Sequence, residues 1–178
     1  LDQAGAHFTV VNGWERSDYF KPSPDFVEDY GYAFTQVHEV VAAEVARVHT
    51  HVGLAEVNGF NRIEITGSGA HDWLDYMICS RVPRRLEKVG LGYLLNDYGN
   101  VKAEATIANL PDGRIWYGSA AAAEFHDMDW LDQHLPKDGS VALRSLTNDH
   151  TILVLAGPKS RAVLSACARG DWSAAGFP

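Results

Sequence analysis

From Leu94 to Ile107 the chain reads Leu-Leu-Asn-Asp-Tyr-Gly-Asn-Val-Lys-Ala-Glu-Ala-Thr-Ile, two apolar runs joined by Asn96-Asp97-Tyr98-Gly99. Asn and Asp tolerate turn geometry and Gly takes a positive φ without steric cost, so the stretch predicts a hairpin. Alternation then puts Val101, Ala103, Ala105 and Ile107 on one face and Lys102, Glu104 and Thr106 on the other. Glu104 stands on the polar face of a strand just past a turn, where a carboxylate is either solvated or placed to meet something. The organised region runs from Val89 to Pro158. It continues with a strand over 114–119 and a helix over 121–134, with Phe125, Met128, Leu131 and Leu135 on one face and Asp127, Asp129 and Asp132 on others. Strands follow over 141–146 and 152–156.

Upstream, residues 1–33 combine turn chemistry (Asn12-Gly13, Pro22, Pro24, Gly31) with little periodicity, which reads as surface loop. Val37, Val40, Val41, Val45 and Val48 fall at helical spacing over 34–49, with Thr35 as a candidate N-cap. Residues 62–66 alternate as a half-buried strand and lead through Gly67-Ser68-Gly69 into a helix over 70–79, with Trp73, Leu74, Met77 and Ile78 inward. Pro158 opens a last helix with Ala162, Val163, Leu164 and Cys167 on its apolar face. No internal repeat is visible. The element order lacks the regular βα spacing of a doubly wound sheet and predicts an α+β fold, an antiparallel sheet with helices packed on one face.

Composition narrows the function classes. A net charge of −8 argues against a nucleic-acid surface, which needs clustered Lys and Arg. The one basic cluster, from Arg81 to Lys88, reads as a solvated loop face or as a contact for an anionic ligand tail. No apolar run approaches the roughly 20 residues of a membrane helix. Leu1-Asp2-Gln3-Ala4-Gly5 has neither an initiator Met nor a charged leader region and reads as a cut inside a longer chain. Cys79 and Cys167 lack ligand spacing and are expected as buried apolar fillers in a reducing compartment, cytoplasm or mitochondrial matrix. Gly67-Ser68-Gly69 is no dinucleotide loop, because Asp72 occupies the third glycine position and would repel a pyrophosphate. His38, His49 and His51 have no third ligand at fixed spacing, so no metal is expected. No nucleophile elbow or Cys-His pairing stands out.

The segment from Leu94 to Ile107, followed about fifty residues later by Leu153-Val154-Leu155-Ala156-Gly157-Pro158-Lys159-Ser160-Arg161, resembles the folate-binding aminomethyltransferase module. That module occurs in the glycine-cleavage T-protein and in flavin-dependent dimethylglycine and sarcosine dehydrogenases. Val52-Gly53-Leu54-Ala55-Glu56-Val57 is similar to the family's Val-Gly-Leu-x-Asp-Leu. Gly13-Trp14-Glu15-Arg16-Ser17-Asp18-Tyr19-Phe20 resembles the element joining flavin and folate domains in the dehydrogenases and selects that branch over the T-protein. The run from Glu124 to Leu131 is similar to the dimethylglycine-dehydrogenase version.

The resemblance implies a ferredoxin-like half of the folate domain. It implies residues 1–33 as a connector following an absent flavin domain, and residues 34–178 as the first part of the folate-binding domain, its remainder absent. In the resembling enzymes a flavin oxidises an N-methyl amine and tetrahydrofolate accepts the one-carbon unit. A positioned carboxylate suits proton management at the attacking nitrogen, and the family position for it falls on Glu104. The family's pterin-pocket positions fall on Phe60, Leu91, Thr106 and Ala120, the last replacing an Asn. The chain is thus expected to hold part of a folate site, with FAD only in the parent protein and the rest of the polypeptide as partner, and to be inactive alone. A stand-alone tetrahydrofolate-dependent transferase and a non-catalytic scaffold module of a larger oxidase are the competing readings.

Overall fold

The computed structural model describes residues 1–177 apart from Asn12, Phe34 and Thr35, so the N-cap expected at Thr35 lies outside the described residues. In chain order the elements are β1 (Ala6–Val11), β2 (Trp14–Phe20), α1 (Gln36–Thr50), β3 (Gly53–Glu56), β4 (Ile63–Thr66) and α2 (Ala70–Met77). There follow β5 (Lys88–Leu95), β6 (Val101–Asn109), β7 (Ile115–Gly118), α3 (Glu124–Gln133), β8 (Ala142–Ser145), β9 (Leu153–Ala156) and α4 (Ser160–Cys167). Residues 56–152 make one compact unit; residues 1–55 with those from 153 onward make another.

The 56–152 unit is a five-stranded sheet in the order β5-β6-β7-β4-β8, with its pairings antiparallel. The expected hairpin is its β5–β6 arm. Asn96 Oδ1 accepts the backbone N–H groups of Tyr98 (3.0 Å) and Asn100 (2.9 Å), and Gly99 takes φ +80°. Ala103, Ala105 and Ile107 face inward and join Ile63, Ile65, Ile115 and Tyr117 in one apolar core. Trp73, Leu74 and Ile78 from the α2 segment and Leu131 from α3 close it, so both helices pack on the same face. Val101, assigned inward by alternation, is exposed, because the ladder shifts register between Leu94 and Leu95 at its end. β4 is more buried than a half-buried strand. Arg62 and Glu64 on its other face are also covered, Glu64 by an ion pair to Arg114 (2.5 Å) and by Trp116 across the ladder.

α3 starts after a short 3-10 turn, and its burial differs from the expected face. Leu131 is fully buried, but Phe125 is 89% exposed and Asp127 is 1% exposed. Asp127 accepts hydrogen bonds from Tyr117 Oη (3.1 Å) and Ser119 Oγ and meets His126 Nδ1 at 3.0 Å. Asn61 completes the network, donating to Ser119 Oγ (2.7 Å) and accepting from the Ser119 N–H (2.9 Å). Two buried inward hydroxyls need an acceptor, and the carboxylate supplies it.

In the other unit, residues 1–33 contain a hairpin where surface loop was expected. β1 and β2 pair antiparallel with a register shift between His7 and Phe8, and Tyr19 is buried and stacked on His7 at 4.8 Å. Their polar residues hide the strand pattern. Gly13, at φ +84°, helps turn the chain between them. α1 and α4 bury no residue fully; Val41, Val45 and Val163 face solvent, so their apolar faces are narrower than the spacing implies. Both cysteines are exposed rather than buried. Ile78 takes the inward slot opposite Leu94, which leaves Cys79, one residue on, facing out.

A geometric repeat also emerges that the residues alone conceal. β4 runs through Gly67 (φ +112°) into α2, and β9 runs through Gly157 (φ +120°) into α4. β4 pairs with β8 and β9 pairs with β3. Gly69 N bonds Ser140 O at 3.0 Å just before β8, and Lys159 N bonds His51 O at 2.9 Å just before β3. The repeat imposes only a glycine, a few apolar positions and backbone bonds, so most side chains have diverged.

Each such glycine is required by conformation and by space together. A Cβ on Gly67 would run into the Ser140 carbonyl, whereas a Cβ on Gly113, also at positive φ, meets nothing. Gly113→Ala should therefore cost about 1 kcal/mol and Gly67→Ala at least ~2 kcal/mol more, measured by urea unfolding. Equal losses would remove the close approach as the cause. Tyr117 gives a second expectation. Burial first, and the Asp127 charge next, hold its phenol well above the ordinary 10.0. The folded-state value lies above the unfolded one, so the contribution is complete below about pH 10 and is lost as pH rises further. Tyr117→Phe should cost about 1 kcal/mol at pH 7 and flatten the alkaline fall in stability by up to ~1.4 kcal/mol per pH unit. Unfolding curves at pH 7, 10 and 11 measure both.

Candidate functional site

The sheet face opposite the core carries the five candidate site residues that the family resemblance marked. β6 lies between β5 and β7, and the register pairs Leu91 with Thr106 and Thr106 with Gly118. Two residues along, Tyr93 pairs with Glu104, and an isolated bridge sets Phe60 against Ala120. The β6–β7 ladder, carried past Gly118, puts Ala120 opposite Glu104. Cross-strand partners share a face, so Phe60, Leu91, Thr106, Ala120 and Glu104 form one patch of two adjacent rows. Strands about 4.8 Å apart make it a platform wide enough for a flat bicyclic ring.

The chemistry of the patch is mixed. Leu91 is 61% exposed and Phe60 46% exposed, and Tyr93 adds a third large side chain. Gly118 and Ala120 leave the middle low. Thr106 supplies a hydroxyl and Glu104 an exposed carboxylate. Among the described residues Glu104 makes no salt bridge. Lys102, assigned by alternation to the same face, reaches α3 instead, its amine 4.2 Å from the Trp130 ring centroid. The carboxylate acts on Tyr93: hydrogen bonding to Glu104 first, then its charge, then burial raise the Tyr93 phenol above its ordinary value.

The platform is held from below. Ser119, between Gly118 and Ala120, points inward into the Asp127 network, and Asn61, beside Phe60, belongs to the same network. Backbone bonds from Asn61 N to Ser119 O (2.8 Å) and from Ala121 N to Gly59 O (2.9 Å) flank the Phe60–Ala120 bridge. Asn61, Ser119 and Asp127 are supporting residues that the linear pattern did not single out; Tyr93 is a fourth, on the patch itself. In the basic loop, Arg84 pairs with Asp72 at 3.0 Å, and Asp75 accepts the Val82 N–H at 2.9 Å. Among the described residues no three His, Cys, Asp or Glu side chains converge on a metal position. No described helix is long and apolar enough to cross a membrane.

Comparison with known proteins gives the family. The GCVT N-terminal domain profile matches residues 1–178. The chain is 28% identical to the mitochondrial pyruvate dehydrogenase phosphatase regulatory subunit of Mus musculus, over 100% of this chain and 21% of that protein. It is 28% identical to the mitochondrial dimethylglycine dehydrogenase of Homo sapiens, over 90% of this chain and 19% of that protein. The chain thus spans about a fifth of the length of these relatives. Among solved structures, the glycine cleavage system aminomethyltransferase T from Bartonella henselae superposes with a TM-score of 0.75 at 21% identity, covering 96% of this chain and 42% of that one. It shares the α+β fold with antiparallel sheets. With the profile spanning its whole length, the chain belongs to the GCVT N-terminal domain family, the folate-binding domain shared by dimethylglycine dehydrogenase, sarcosine oxidase and aminomethyltransferase.

Proposed function

We propose that the outward sheet face is part of a tetrahydrofolate site in an FAD-dependent N-methyl amine dehydrogenase or oxidase of the dimethylglycine or sarcosine kind. FAD and the amine would be bound elsewhere in the parent protein. The observation that carries the reading is the register, which gathers Phe60, Leu91, Thr106, Ala120 and Glu104 on one face. Apolar side chains around a low floor suit the flat, partly apolar pterin, and one carboxylate suits its ring nitrogens. Bound there, tetrahydrofolate would supply a nucleophilic nitrogen that takes up the one-carbon unit. Phe60 and Leu91 exclude water from one side of the ring. Gly118 and Ala120 let it approach the backbone. Glu104 accepts the proton released at the nitrogen and offsets positive charge that develops there. The domain assignment joins this reading: residues 1–33 as a connector and residues 34–178 as the first part of the folate domain.

A second reading has its own support. The regulatory subunit matches over the whole chain at the same 28% identity as the dehydrogenase, so a module with a regulatory or scaffold role is compatible with this sequence. The two readings part on Glu104. In the full-length protein, Glu104→Gln should leave tetrahydrofolate affinity and amine oxidation nearly unchanged while slowing one-carbon transfer by roughly 10²-fold. Glu104→Asp should fall between, since it keeps the acid with a shorter reach. Stopped-flow rates of amine oxidation, calorimetric folate affinity and the rate of methylenetetrahydrofolate formation separate these steps. Wild-type transfer in Glu104→Gln would sink the catalytic role, and wild-type protein that takes up no tetrahydrofolate would favour the scaffold.

A further inference from the structure

A proton acceptor has to present its carboxylate at a fixed angle and within hydrogen-bond reach of the reacting atom. Glu104 is poorly equipped to do so alone. It is exposed, it has three side-chain torsions, and among the described residues no salt bridge restrains it. The neighbouring strand carries what the acid lacks. Tyr93 is the direct cross-strand partner of Glu104 on the same face, and hydrogen bonding to that carboxylate is the first cause that raises its phenol.

Tyr93 is itself firmly placed. Its strand is paired on one side by β6, and on the other side Cys79 N bonds Tyr93 O at 2.9 Å. The next residue, Leu94, is fully buried and bridges to Ile78. Backbone pairing on both edges leaves the phenol two torsions with which to reach its partner, few enough for one hydrogen bond to fix them. Tyr93 also stands at the border of the patch, in the row that runs through Glu104 and Ala120 to Phe60.

Resting on the reading of Glu104 as the proton acceptor, we propose that Tyr93 is a positioning residue for one-carbon transfer, aiming the Glu104 carboxylate by a hydrogen bond across the β5–β6 ladder. The carboxylate in turn raises the Tyr93 phenol, which stays a donor through neutral pH. A carboxylate has two oxygens, so one can take this bond while the other meets the ligand.

The test uses the full-length protein with Tyr93→Phe, Glu104→Gln and both together. Steady-state one-carbon transfer to tetrahydrofolate is followed at pH 7. Tyr93→Phe should lower kcat about tenfold, the worth of one hydrogen bond to a charged group, with KM for tetrahydrofolate within about twofold. The double variant should be no slower than Glu104→Gln. A slow Glu104→Gln beside a Tyr93→Phe at the wild-type rate overturns the role of Tyr93 and leaves that of Glu104. Losses that multiply in the double variant do the same. A Glu104→Gln variant with wild-type transfer overturns both readings together.

Discussion

Antiparallel register in the β5–β6 arm is the constraint on which the rest of the sheet depends. Successive side chains alternate between faces, so a slip of one residue would send Glu104 into the core and Ala105 into solvent. The turn removes that freedom. Asn96 binds both Tyr98 and Asn100 through its side chain and closes the backbone from Asn96 N to Asn100 O at 2.9 Å. The small inward residues follow from the same constraint. A Cβ on Gly92 would press on Ile78 and Ile107, so the chain leaving α2 packs directly on the strand. Core closeness on one face and the row of exposed side chains on the other are therefore two results of one pairing.

Beneath the platform the important acid is a buried one. Ser119 and Tyr117 alternate inward with Ile115, and two hydroxyls on a core face demand an acceptor that apolar residues cannot provide. Asp127 meets that demand and ties α3 to the sheet at the point where Ala120 leaves it. The exposed acid, Glu104, and the buried one, Asp127, lie on opposite sides of the same short segment. One stands open on the outward face of the sheet, and the other holds the segment from within through Tyr117 and Ser119.

The sheet was legible because its signals are local. The Asn96–Gly99 turn, the alternation from Ala103 to Ile107 and the inward set on α2 need only neighbours in sequence. What was hidden depends on partners far along the chain. The α3 face was read from Phe125, yet the helix turns to bring Asp127 to Tyr117 and Ser119, a choice that only the sheet can make. Cys79 reads as a filler until its pairing beside Tyr93 sets its direction. The β1–β2 hairpin mixes polar residues into both strands, and the repeated strand-glycine-helix unit is carried mainly by backbone bonds. The patch residues came from family resemblance, and alternation on β6 could have supplied Glu104 and Thr106. Tyr93 needed the register that places it opposite Glu104.

The nesting of one unit within the sequence of the other bears on how the chain acquires its structure as it is made. Strands β3 and β9 belong together although the whole 56–152 unit separates them, and closing a loop of roughly a hundred flexible residues costs about 4 kcal/mol in chain entropy. The inner unit has all of its strands once Ile152 has left the ribosome, and folding it joins Val57 N to Ile152 O at 2.9 Å. The two ends that must carry β3 and β9 are then already side by side. The long loop has been closed by a folded body, and the outer unit can zip from a junction instead of searching for its partner strand.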